Sequence, residues 1–138
     1  MNRLDFIISE GRLIITGKDL GTLEECFVEL DRIFIKEDRE LCKRTSEDDM
    51  LGMLHFGLGT SLRNKWRLWG GPEQENSKLR KYFLKLGICH ADDMTGIIFA
   101  SWYRYLNNKP LELEKQVAFY KKYWKKMKVT PPNEVSNE

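Results

Sequence analysis

The chain is poor in the residues that staple or anchor a protein. Its 138 residues hold three cysteines, Cys26, Cys42 and Cys89, widely spaced and without a Cys-x-x-Cys pair. An odd, unpaired set argues against a disulfide framework and for reduced thiols in the cytoplasm. Histidine is limited to His55 and His90, too few to make a structural zinc site with paired short spacings. No apolar run is long enough to span a bilayer, and Arg3, Asp5, Glu10 and Arg12 interrupt the first residues. Neither a membrane segment nor a signal-peptide core is therefore expected. A formal charge of +2 is too small to imply a nucleic acid or a membrane by itself. Phosphate-loop, dinucleotide, kinase and nucleophile-elbow patterns are absent, and no metal or cofactor is expected.

What is present suits one ordinary globular domain. Hydrophobic residues at 41% and charged residues at 32% allow a chain of this length to bury most of its apolar side chains. Branched apolar residues from Leu4 to Ile8 and from Leu13 to Thr16 flank Glu10-Gly11, a pattern that predicts a β-hairpin. Two strands alone are marginal in water. The hairpin is expected to pack on the helices or to pair with a second copy, giving a homodimer by strand addition.

Thr22-Leu23-Glu24-Glu25 is a capping-box pattern. It opens a helix to about Ile35, with Leu23, Cys26, Phe27, Leu30 and Phe34 in one stripe. Lys36 to Thr45 reads as a short helix or a loop. Ser46 caps a helix expected to run to about Trp66, placing Leu51, His55, Leu58, Leu62 and Trp66 on one face. Gly52, Gly57 and Gly59 each cost that helix about 1 kcal/mol relative to alanine. They mark a weak place and suggest close approach of another backbone or a ligand. Gly70-Gly71-Pro72 ends the element. Ser77 caps a short helix carrying Leu79, Tyr82, Phe83 and Leu86, and Gly87 stops it. From Met94 to Leu106 only Arg104 is charged, which reads as the central, most buried helix. After Asn107-Asn108-Lys109-Pro110 the spacing of Leu113, Val117, Tyr120, Trp124 and Met127 marks a last helix with a lysine-rich opposite face. The expected fold is mainly α, a compact bundle of about five helices with an N-terminal β-hairpin. The hairpin and loop occupy 1–21 and the helical domain 22–128, with a disordered tail from 129.

Chemistry-bearing residues concentrate between Ser46 and Ile98, and His55, Gly59, Arg63, Asn64, Trp66, Trp69, His90 and Asp93 are the candidate site. His55 on an apolar face suits an acid, a base or a ligand. More commonly such a histidine is buried and satisfied by backbone or by a carboxylate such as Asp93. Cys89-His90-x-Asp92-Asp93 gathers thiol, imidazole and carboxylates. Its acids, however, have an ordinary place at a helix N-terminus, and a nucleophilic Cys89 needs a base and a lowered pKa. Arg63, Asn64, Lys65 and Arg67 beside Trp66 and Trp69 combine phosphate-binding and stacking groups. Lysines at 121, 122, 125, 126 and 128 add a second basic patch. Acids at Glu37, Asp38, Glu40, Glu47, Asp48 and Asp49 nearly balance these charges, and lysines opposite an apolar stripe are usually a solvated face.

The order Ser46-Glu-Asp-Asp, His55-Phe-Gly-Leu-Gly, Arg63-Asn64-x-Trp66-x-Leu68-Trp69 and Leu79-x-x-Tyr82-Phe83-x-x-Leu86-Gly87-Ile88-x-His90-x-Asp92-Asp93-Met94 resembles an uncharacterised bacterial domain family. Asn107 to Pro110 is similar to that family's Asn-Gly-Lys-Pro turn. The resemblance spans about Leu23 to Trp124 and leaves the hairpin outside. It implies a small helical domain of bacterial or phage origin and no particular mechanism. The leading expectation is a non-enzymatic cytoplasmic protein-interaction domain, immunity-like or accessory, with a protein partner. One alternative is a small enzyme or ligand-binding domain with a His/Arg/Asn/Asp pocket. Another is nucleic-acid binding through a basic, aromatic surface.

Overall fold

The computed structural model describes residues 20–70 and 77–127. They form seven helices: α1 (Leu23–Ile33), α2 (Lys36–Arg44), α3 (Glu47–His55), α4 (Gly57–Lys65), α5 (Lys78–Leu86), α6 (Ala91–Leu106) and α7 (Leu113–Met127). Side-chain caps start three of them. Thr22 Oγ1 accepts from the Glu25 N–H at 3.2 Å, and Glu25 Oε1 reaches back to the Gly21 N–H at 3.0 Å. Ser46 accepts from the Asp49 N–H and Ser77 from the Arg80 N–H, both at 3.2 Å. Gly87 ends α5 in the left-handed region at φ 90°, which a Cβ would disfavour.

The centre of the molecule is α6, against which α1, α2, α3, α4 and α7 all pack. Ten of its sixteen residues are buried. Met94, Ile97, Ile98, Phe99 and Trp102 enter a single core with Leu30, Met50, Leu54, Leu58, Leu62 and Phe83. Fully burying such side chains contributes roughly 1.5–3 kcal/mol each. Polar groups fix the register. Trp102 Nε1 donates to Asp31 at 3.0 Å, the Tyr103 hydroxyl to the Thr45 carbonyl at 2.8 Å, and Arg104 to Glu47 at 2.9 and 3.1 Å. Arg39 donates to the Asp31 and Phe34 carbonyls and so clasps the end of α1 onto α2.

The expected architecture is corrected in two respects. The described residues hold seven helices rather than about five, because Lys36–Arg44 is a full helix and the helix expected from Ser46 to Trp66 divides at Phe56. They also contain no strand. The hairpin residues Leu4 to Thr16 lie outside the described residues. Over the described residues the fold is accordingly all-helical, and no strand among them is available for a homodimer by strand addition. Among the described residues, no helix is long and apolar enough to cross a membrane.

Candidate functional site

The eight candidate residues fall into two groups on either side of the first turn of α6. The first is organised by Arg63, on α4, whose side chain is buried. Its Nη1 donates to Thr95 Oγ1 at 2.8 Å, and its Nη2 to the His55 carbonyl at 3.0 Å and Thr60 Oγ1 at 3.1 Å. Nε stands 3.3 Å from Asp92 Oδ1, and the guanidinium lies 5.6 Å from the centre of the Trp69 ring. One side chain thus joins the end of α3, the first turn of α4 and the first turn of α6. Burial pulls the Arg63 pKa below its usual value and Asp92 opposes that shift. Burying a guanidinium costs several kcal/mol unless its donors are met; here three oxygens meet the Nη donors, while Nε has the Asp92 carboxylate as an ion-pair neighbour and makes no hydrogen bond among the described residues.

Gly59 belongs to the same arrangement. A Cβ there would stand 2.9 Å from Arg63 Nη1 and 3.0 Å from the Leu54 carbonyl oxygen, so no side chain fits without displacing the guanidinium or the backbone. The close approach expected from the glycines is real, and what approaches is the protein's own arginine. Asn64 Oδ1 accepts the Trp69 Nε1 proton at 2.7 Å, holding that half-exposed ring over Arg63. Trp66 is buried in the core. His55 contributes its backbone carbonyl, while its half-buried imidazole packs edge-on to the exposed Phe56 at 4.7 Å.

The second group lies between α6 and α7. The His90 ring stacks flat on Trp124, with centroids 3.8 Å apart and planes 15° apart. Trp124 Nε1 donates to Asp93 Oδ2 at 2.8 Å. His90 Nε2 is buried with no hydrogen-bond partner among the described residues. Burial raises the Asp93 pKa, while the Trp124 bond and His90 oppose the rise. The Tyr120 hydroxyl sits only 2.8 Å from where a Cβ of Gly96 would stand, and burial with Asp93 nearby raises the pKa of that phenol.

Arg63 and Asp93 therefore do not converge on one pocket, although the adjacent Asp92 and Asp93 bring the two groups back to back. Three clefts among the described residues are lined by other side chains. One of about 550 Å³ lies between α1 and the turn after α6, lined by Glu24, Phe27, Val28, Tyr105, Lys109 and Leu111 among others. Phe27 and Tyr105 stack at 5.1 Å in its wall. Val28 is 70% exposed and Tyr105 49%. Among the described residues, no three His, Cys, Asp or Glu side chains are placed to hold a metal ion. All three thiols are buried. Burial raises the pKa of Cys26 and pushes Cys42 up to about 12.

Thr95 and Trp124 were not legible as partners of this region. Both stand at positions whose helical spacing reads as core, and nothing in spacing reveals that a threonine hydroxyl or an indole N–H is in use.

The chain matches the family model described as a domain of unknown function (DUF6794) over residues 21–106, which spans α1 to α6. The likeness expected to reach Trp124 thus stops at Leu106, and α7 lies beyond it. Neither the curated proteins nor the solved structures gave a match.

Proposed function

We propose that this chain, which belongs to the DUF6794 family of uncharacterised domains, is a cytoplasmic, non-enzymatic module that binds another protein through the cleft between α1 and the α6–α7 turn. The observation that carries the reading is the concentration of unused apolar surface there. Val28 at 70% and Tyr105 at 49% exposure border a cleft floored by Phe27 and Leu111, and aromatic side chains beside such clefts are common interface anchors. Lys109 and Glu24 at the rim supply polar contacts of both signs. The partner is accordingly a protein segment with one or two apolar side chains to insert and a mixed-charge flank. The buried thiols suit a reducing compartment.

Val28→Glu and Tyr105→Ala test the proposal: Val28 is exposed and its substitution should lower stability by no more than about 0.5 kcal/mol, while Tyr105→Ala also loses the Phe27 stack and should cost about 1 kcal/mol. Proteins captured from a bacterial lysate by the wild type are purified and titrated against each variant. A partner whose affinity falls at least ten-fold with Val28→Glu supports the reading. Partners that bind both variants as they bind the wild type would overturn it.

The pocket alternative has less behind it. Arg63 and Asn64 are engaged by the fold itself, and none of the eight candidate residues lines the three clefts.

A further inference from the structure

The outer face of α7 carries an arrangement that the protein contact does not use. Val117 is the only fully buried residue among the fifteen of this helix. Phe119 is 65% exposed and Tyr123 46%. They stand four residues apart, which places their Cβ atoms about 5–6 Å from each other on one face. Each ring is braced edge-on by its neighbour, Phe119 by Tyr120 at 5.3 Å and 84°, and Tyr123 by Trp124 at 5.1 Å and 85°. The bracing rings are themselves fixed to α6, Trp124 by Asp93 and His90, and Tyr120 over Gly96. Two flat aromatic faces are therefore held outward, one turn apart, in set orientations.

Charge follows the same helix. α5 carries three exposed lysines beside the buried Arg80, and α7 five lysines, against the single acid Glu114, in a chain whose net charge is +2. At 3.6 residues per turn, Lys122 and Lys126 lie on the crest of α7, and Lys121 and Lys125 lie toward α5. The Lys121 side chain lies 3.2 Å from where a Cβ of Gly87 would stand at the end of α5, the helix that carries Lys85. On the other side of Phe119 the cleft is bordered by Glu47, Asp48 and Glu112, and Lys115 is paired with Glu112 at 3.4 Å. A polyanion on this helix is thereby drawn to the crest, where Lys122 and Lys126 adjoin Phe119 and Tyr123.

We propose that the outer face of α7 binds single-stranded nucleic acid, with bases stacked on Phe119 and Tyr123 and the phosphate backbone running along Lys122 and Lys126. Stacking platforms beside a basic track are the means by which proteins hold single strands without reading sequence. A duplex offers no free base face to the two rings. An acidic peptide would need the lysines but not two outward, braced aromatics. Lysines give point-charge contacts to phosphate, consistent with sequence-independent binding. The proposal shares no residue with the α1 cleft and stands or falls apart from it.

The test is fluorescence anisotropy with labelled twelve-nucleotide oligo-dT and oligo-U, a twelve-base-pair duplex, and polyglutamate. Neutralising two phosphates on a single strand predicts a slope of log affinity on log salt of roughly −1.4. From 50 to 200 mM salt that is a loss of about 7-fold. Phe119→Ala and Tyr123→Ala should each weaken binding by about ten-fold, and Lys122→Gln and Lys126→Gln should each flatten the salt slope by roughly 0.7. Lys43→Gln, on α2, should change neither. Phe119→Leu and Tyr123→Leu, which keep apolar bulk but remove the ring face, should bind as poorly as the alanine variants; if either alanine variant lost helical circular dichroism, these would give the reading. The proposal is overturned by absence of binding at 50 mM salt. Equal affinity for the duplex or for polyglutamate overturns it too, as do aromatic variants that bind like the wild type.

Discussion

Arg63 shows how a residue that reads as a ligand-binding cation becomes a structural one. Its donors face the His55 carbonyl, Thr60, Thr95 and Asp92. Removing it strands buried acceptors at the cost of an unmade hydrogen bond each. Arg63→Met should lower unfolding free energy by about 2–4 kcal/mol in urea denaturation, and Arg63→Lys should recover little, because an ammonium cannot reproduce the planar fork. The glycines nearby give a paired prediction. Gly52 is exposed with nothing within 4 Å of a Cβ, so Gly52→Ala should stabilise by about 0.5–1 kcal/mol. Gly59→Ala, a gain by helix propensity alone, should instead destabilise by about 1–3 kcal/mol because of Arg63 and the Leu54 carbonyl. Asp93 gives a pH dependence. Its folded pKa is raised above the ordinary 3.8, so its contribution to stability is complete below about pH 4 and is lost as pH rises through the folded value. Asn at this position can still accept the Trp124 proton. Relative to the wild type, Asp93→Asn should therefore gain stability between pH 4 and pH 7, measured by urea unfolding at both.

At the scale of elements, the helix starts were legible because caps are local. The hydroxyls of Thr22, Ser46 and Ser77 bond the backbone three residues on, and that spacing is written in the chain. The burial of α6 was legible from its lack of charge. The division at Phe56 was signalled only as weakness in a helix with three glycines. There Arg63 takes the His55 carbonyl, a contact eight residues apart whose direction spacing does not give. Lys36–Arg44 looked indeterminate because its charge hides a two-residue anchor, Asp38 and Cys42. In α7 the stripe was right in part: Val117 is buried and Tyr120 and Trp124 are half-buried, but Met127 is 52% exposed. The helix is attached largely through Trp124 to Asp93, Gln116 to Ser101, and Tyr120 over Gly96. Amide exchange should accordingly open α7 at a lower free energy than α6, and Trp124→Phe, which loses the bond to Asp93, should speed exchange in α7 while leaving α6 near its wild-type rate.

For the whole molecule, the stretch richest in unusual residues is where the helices are tied together. His55, Gly59, Arg63, Asn64 and Trp66 serve the α3–α4–α6 junction, and His90 and Asp93 serve the docking of α7. Apolar surface left unused by folding is found at Val28 and Tyr105, along the outer face of α7, and at Phe56 and Trp69 beside the α3–α4 junction. The most direct test of this division compares Arg63→Met with Val28→Glu in two assays, urea midpoint and affinity for the purified partner measured where both variants are folded. The account predicts that Arg63→Met loses stability and keeps wild-type affinity, while Val28→Glu keeps its midpoint and binds at least ten-fold more weakly. Loss of affinity with unchanged stability in Arg63→Met, and unchanged affinity in Val28→Glu, would contradict it.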